Sequence, residues 1–260
     1  MNRAVAFLNR WLVPWLTALG DNAYMTAIRA GMVSVVPLTI IGGLFLVIAF
    51  APIPGWEERI QPWSHLLQVP VTATFGLLGV FVCFAIGFDL GKQFKQEPLV
   101  SASMATLIFL MIQIDLKELT LTMDGLGSKG LFPAIVVALV TVRVQRWFGD
   151  WNLVIRLPKS VPPVVYESFL SLTPMVFLVV AFWLLRFVAG VDINGGIQAL
   201  FSPLVRALNT LPGILVYAFL VAMLWSVGIN GDNTLDAIVA PIFLQYLAEY
   251  VDAASKGLPL

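Results

Sequence analysis

The residues best suited to chemistry stand in the stretch Trp225-Ser-Val-Gly-Ile-Asn-Gly-Asp-Asn-Thr234, at the end of an apolar run. It combines two glycines with Asn230, Asp232, Asn233 and Thr234, and Asp236 follows. A helix that unravels here leaves backbone amides and carbonyls unpaired. A membrane tolerates such backbone only where it is buried in protein or lines a wet cavity. A sugar needs several directed hydrogen bonds and a flat apolar face; Asn and Asp supply the first and Trp the second. Trp225, Asn230, Asp232 and Asn233 are therefore candidate substrate-binding residues. A plain chain reversal at Gly231-Asp-Asn233 is the structural alternative.

A second candidate region, Tyr24–Gly42, holds Arg29, Gly31, Pro37 and the Gly42-Gly43 pair. An arginine at the end of a span snorkels to the interface, and small residues pack helices closely. The simpler reading is thus an anchor and a packing face. Leu157-Pro-Lys-Ser-Val-Pro-Pro163 carries three prolines. Each lacks a backbone donor and restricts the residue before it. Pro158, Pro162 and Pro163 are the candidate hinge, a stiff elbow between two bundles. Cys83 sits in an apolar run and His65 is the lone histidine, so neither a disulfide nor a metal site is expected. No catalytic residue and no cofactor is expected from these residues.

The elements that must position the candidates are membrane helices. Apolar residues make up 59% of the chain and charged residues 12%, with a mean hydropathy of +0.91. A soluble domain carries about 25% charged residues, so lipid is the expected solvent. The net charge is zero, which removes any electrostatic case for a nucleic-acid partner. Candidate spans are Met32–Phe50, Val71–Phe88, Leu99–Ile114, Leu131–Arg143, Ser168–Val188 and Gly213–Ile229. Ala237–Tyr250 is shorter, as expected of a re-entrant segment or a span cut off by the chain end. Residues 1–30 read as an N-terminal interfacial helix. A second interfacial helix is expected within Gln145–Pro163 and a third over Gly195–Leu211, where apolar residues recur at helical spacing. Basic segments (Arg3, Arg10 and Arg29; Lys92 and Lys95; Arg143, Arg146, Arg156 and Lys159) alternate with acidic or mixed ones. That alternation predicts a cytoplasmic N-terminus in a multi-pass protein.

Several stretches together carry a family resemblance: Ala27-Ile-Arg-Ala-Gly31 leading into Pro37-Leu-Thr-Ile-Ile-Gly42, Ala85-Ile-Gly-Phe-Asp-Leu-Gly91, Gly127-Ser-Lys-Gly-Leu-Phe132, Leu157-Pro-Lys-Ser-Val-Pro-Pro163, Asn209-Thr-Leu-Pro-Gly213 and Trp225-Ser-Val-Gly-Ile-Asn-Gly231. In this order the chain resembles enzyme IIC, the sugar permease of the bacterial phosphotransferase system, of the lactose/cellobiose/diacetylchitobiose type. The resemblance implies an all-α polytopic protein of the bacterial cytoplasmic membrane, with interfacial amphipathic helices and a re-entrant segment. It implies a dimerisation bundle over residues 31–144 and 164–190, the interfacial helix and proline elbow over 145–163, and the start of a truncated sugar-binding bundle over 191–260. It also implies a homodimer that binds a β-linked disaccharide such as cellobiose or diacetylchitobiose, with a phosphorylated IIB component as partner. The chain itself carries no catalytic phosphocysteine, since Cys83 reads as a packing residue. Where the family has Gly-Ile-His-Gly, this chain has Gly228-Ile-Asn-Gly231, and Asn cannot hold a proton as His does. A membrane sensory module of a larger signalling protein is the alternative function.

Overall fold

The computed structural model describes residues 22–51, 53–153, 163–226 and 230–255. Among these, the architecture is helical throughout; the strand-type pairing is a single bridge between Ile114 and Leu121. Eleven α-helices follow in chain order: α1 (Ala23–Ser34), α2 (Val36–Ala49), α3 (Trp56–Ile60), α4 (Ser64–Phe75), α5 (Leu78–Gln93), α6 (Pro98–Ile112), α7 (Leu131–Asp150), α8 (Pro163–Trp183), α9 (Ile193–Leu208), α10 (Leu211–Ser226) and α11 (Gly231–Ser255). Short 3-10 turns at Met123–Gly125 and Ser128–Gly130 lead into α7, and a π-helical turn, Leu184–Val188, continues α8.

Four stretches long and apolar enough to cross a membrane overlap expected spans, the first two running well beyond them: Ala23–Ala49, Glu58–Gln93, Ser128–Asp150 and Ser171–Val188. The first is interrupted at Val35, because Pro37 in the first turn of α2 has no N–H to continue the ladder. The second breaks at Gly76-Leu77, where the Gly79 N–H donates to Leu126 O at 2.8 Å. Helix α6 has 15 residues and reaches only about 22 Å, so it needs its neighbours α5 and α7. Those three helices form the core. Leu78, Val82, Ile86 and Leu90 meet Ile108, Phe109 and Ile112 of α6 and Leu131, Ala134 and Ala138 of α7, all buried. Gly87 and Gly91 let the α6 residues Ala102 and Ser101 approach the α5 backbone. Buried Ser101 donates to Gln145 Oε1 at 2.7 Å. The outer surface is apolar as well: Val36, Ile40, Leu44 and Val47 of α2 are exposed, as lipid requires.

The structure differs from the sequence reading in several places. Residues Ala23–Ala30, assigned to an interfacial helix, instead begin α1 and bury Ala27 and Ile28 in the core; residues 1–21 lie outside the described set. Gln145–Asp150 completes α7 rather than starting an interfacial helix, since Gln145 is tied to Ser101. Ala237–Tyr250 lies inside the 25-residue helix α11, of which Thr234–Ala254 is long and apolar enough to cross a membrane. Its polar residues had shortened it on a hydropathy reading, yet Ala237 and Ile242 join the core beside α1. The bent element is the preceding pair, with α9 and α10 meeting at 83°. Helix α9 occupies Ile193–Leu208, close to the expected third interfacial helix.

Candidate functional site

Helices α10 and α11 run back on each other, with residues 227–229 between them. Tyr217 and Phe243 meet edge to face at 5.7 Å across the pair. Gly231 makes the closest approach, because a Cβ there would lie 2.6 Å from Val221 O and 2.9 Å from Val221 Cα. No residue with a side chain fits that contact, so the glycine in Asn230-Gly231 is required by packing. Asn230 is exposed with non-helical backbone, and its carbonyl accepts both the Thr234 N–H at 3.2 Å and the Thr234 hydroxyl at 2.9 Å. It therefore closes the first turn of α11.

The pair brings the predicted sugar-binding residues to one end. Trp225 stands in the last turn of α10 and is 53% exposed. Asp232 and Asn233 lie in the first turn of α11; their side chains are outside the described set. Asp236, one turn on, is partly buried. This end offers an exposed indole, an exposed amide and acidic and amide residues at a helix start. That combination suits a neutral polyol with an apolar face. Of the hinge residues, Pro158 and Pro162 lie outside the described residues, and Pro163 opens α8, where its missing N–H costs the helix nothing.

The second candidate region proves to be a packing face. A Cβ on Gly31 would collide with Ile86, and one on Gly42 with Thr74 and Phe75. Cys83 is fully buried, as a packing residue should be. Among the described residues no cluster of His, Cys, Asp or Glu could hold a metal ion.

Sequence reasoning missed a polar clasp near α9. Arg186, 8% exposed, lies within an apolar span. Its guanidinium donates to Ile114 O at 3.1 Å and Val191 O at 3.4 Å and lies 3.5 Å from Asp192 Oδ1. Asp192 in turn caps α9, accepting the Gly195 N–H at 3.1 Å. An ionisable residue inside a span was itself the signal that could have found it.

The sequence matches the family described as "Phosphotransferase system, EIIC" over residues 29–257. The chain belongs to the phosphotransferase system EIIC family. Among similar EIIC proteins, the cellobiose-specific EIIC component of Geobacillus stearothermophilus is 31% identical, over 96% of this chain and 60% of its own length. The lichenan permease IIC component of Bacillus subtilis (strain 168) is 29% identical, over 94% and 59%. The crystal structure of ChbC, the IIC component of the N,N'-diacetylchitobiose-specific system, superposes with a TM-score of 0.89 at 27% identity, covering 98% of this chain and 64% of that one. The chain thus spans about three fifths of the length of these EIIC relatives. Family and apolar helices together make it a multi-pass protein of the bacterial cell membrane.

Proposed function

We propose that this chain is a sugar-binding, sugar-translocating membrane subunit that takes a β-linked disaccharide of the cellobiose or diacetylchitobiose kind. The carrying observation is the α10–α11 pair, which gathers Trp225, Asn230, Asp232 and Asn233 at one end. The relatives named for cellobiose, lichenan and N,N'-diacetylchitobiose support that substrate class. Phosphorylation falls to a phosphorylated IIB partner, because Cys83 is buried in α5 and cannot meet a soluble donor. Two copies associate through the bundle over residues 31–144 and 164–190, and the segment 191–260 belongs with the sugar. The proline elbow, with Pro158 and Pro162, joins the two.

The N-terminus faces the cytoplasm in this reading. Arg146 sits over the Phe94 ring at 4.4 Å, and Tyr24 meets the same ring edge-on at 5.7 Å. The start of α1 therefore lies at the same end as the basic ends of α5 and α7, with Lys92, Lys95, Arg143 and Arg146. The positive-inside rule puts that end in the cytoplasm.

Calorimetric titration of the detergent-purified protein with cellobiose and diacetylchitobiose tests the reading. Binding of at least one is expected, weakened by Trp225→Ala. Asn230→His adds a donor that can be charged and strengthens binding by about tenfold, the worth of one good hydrogen bond. No heat of binding with either sugar, from the wild type or from N230H, would overturn it.

A further inference from the structure

Helix α9 carries its polar side chains as a stripe. Asn194, Gln198, Ser202 and Arg206 follow at four-residue intervals, which stacks them on one face. The first two are spent inside the fold: Asn194 pairs with Gln113, and Gln198 Nε2 donates to Lys129 O at 2.8 Å. The next two line a crevice of about 390 Å³ whose far walls include Phe132 and Gln245. Arg206 is exposed, and its guanidinium makes no ion pair or hydrogen bond with any described residue. Gln245 donates Nε2 to Glu249 Oε1 at 2.8 Å, while its own Oε1 is buried without a partner. The crevice therefore has an unmatched cation at its mouth, while the Gln245 oxygen is closed off behind its wall. A ligand that answers that cation has an anionic oxygen.

The other flank of the same two turns is apolar. A groove of about 520 Å³ runs between α9, α10 and α11, lined by Leu204, Leu208, Val216, Leu220, Ile238 and Val239 among others. Arg206 borders the crevice, and the next residue, Ala207, borders the groove. The 83° bend lays α9 across the direction of α10, the posture of an interfacial helix beside a membrane-embedded one. A soluble anion would use the crevice and leave the groove unfilled; a phospholipid uses both.

We propose that α9 is a binding site for an anionic glycerophospholipid. The phosphate is met by Arg206 and Ser202, and an acyl chain by the groove. Phosphatidylglycerol has this chemistry; phosphatidylcholine lacks the net negative charge. The inference rests on membrane residence and is independent of the sugar reading, so either fails without the other.

The test is lipid retention by the purified, delipidated full chain, read by native mass spectrometry alongside thermal unfolding. Phosphatidylglycerol should be retained about five-fold over phosphatidylcholine, the worth of one arginine beside an anionic lipid, and should raise Tm more. Arg206→Gln should remove the preference while Arg206→Lys keeps most of it. Equal retention of phosphatidylglycerol and phosphatidylcholine by the wild type overturns the proposal, as does an unchanged preference in R206Q. A Tm shift reproduced in full by glycerol 3-phosphate alone also overturns it, since the groove would then contribute nothing. Should R206Q not fold, loss of the preference at high salt in the wild type supports the site, and a salt-independent preference overturns it.

Discussion

Gln113 and Asn194, 81 residues apart, pair their side-chain amides reciprocally: Asn194 Nδ2 donates to Gln113 Oε1 at 2.6 Å, and Gln113 Nε2 donates back to Asn194 Oδ1 at 3.1 Å. Asn194 Nδ2 also reaches Ile112 O at 3.3 Å, and the Thr122 hydroxyl takes Gln113 O at 2.9 Å. The last carbonyls of α6, which have no partner within the helix, are thereby satisfied from α9 and from the following loop. Helix α9 buries no residue fully, so these polar contacts do much to fix its start. Asn194→Leu leaves the buried Gln113 amide unmatched and should cost about 1–3 kcal/mol. A double-mutant cycle with Gln113→Leu, followed by thermal unfolding in detergent, should show the two losses to be less than additive. Strict additivity would mean the pair is not formed.

Arg186 closes the same junction from the α8 side. Two of its partners are the carbonyls of Ile114 and Val191. The third, Asp192, is 67% solvent-exposed at its side chain, so the ion pair is heavily screened and contributes little. The carbonyl bonds dominate. Arg186→Met should therefore destabilise by about 1.5–3 kcal/mol, the range for hydrogen bonds to a charged group. Asp192→Asn, which keeps the cap on Gly195, should cost well under half of that. Equal losses in the two variants would reverse the ranking.

Much of this arrangement was legible in the sequence, and the exceptions share a cause. The spans around Ile40, Val82, Val137 and Val179 announce themselves by unbroken apolar runs. The end of an apolar helix just after Trp225, expected from the Gly- and Asn-rich stretch there, matches the close of α10 at Ser226 and the start of α11 at Gly231. The full length of α11 was not visible, because Thr234, Asp236, Gln245 and Glu249 dilute its hydropathy. Part of this helix nonetheless packs against protein, where Tyr246 donates to Val205 O at 2.9 Å. The clasp of Gln113, Arg186, Asp192 and Asn194 was hidden for a different reason. Its members are scattered in the chain and meet only once α6, α8 and α9 are assembled.

Asp115 gives a pH dependence with a definite sign. Its Oδ1 accepts the Lys117 N–H at 2.7 Å and the Glu118 N–H at 2.9 Å. These bonds, that from Glu118 first, hold its carboxyl below the usual carboxylate range. A folded-state value below the unfolded one means that the ionised form favours the fold. The contribution is complete above the unfolded value of about 3.9 and is lost as pH falls through the lower folded value. The Tm gap between wild type and Asp115→Ala should thus be constant near neutrality and shrink only below about pH 4. A gap that closes between pH 6 and 8 would assign the effect to another group.

Gly231 tests whether the α10–α11 contact serves the ligand end. A methyl group there meets Val221 O at 2.6 Å, and Val221 is backbone-held, so α10 or α11 must shift. Overpacking of this kind costs about 1–3 kcal/mol. Gly231 directly follows Asn230 and Val221 lies one turn before Trp225 on α10, so Gly231→Ala should weaken disaccharide binding as well as lower Tm. Gly43→Ala is the matched control, since a Cβ at Gly43 meets nothing within 4 Å. In the middle of α2 that change should leave sugar binding intact and stabilise by about 0.5–1 kcal/mol through helix propensity. Calorimetry and thermal unfolding on the two variants separate the effects: loss of binding in G231A with retention in G43A places the ligand at the hairpin end, and unchanged binding in G231A removes it from there.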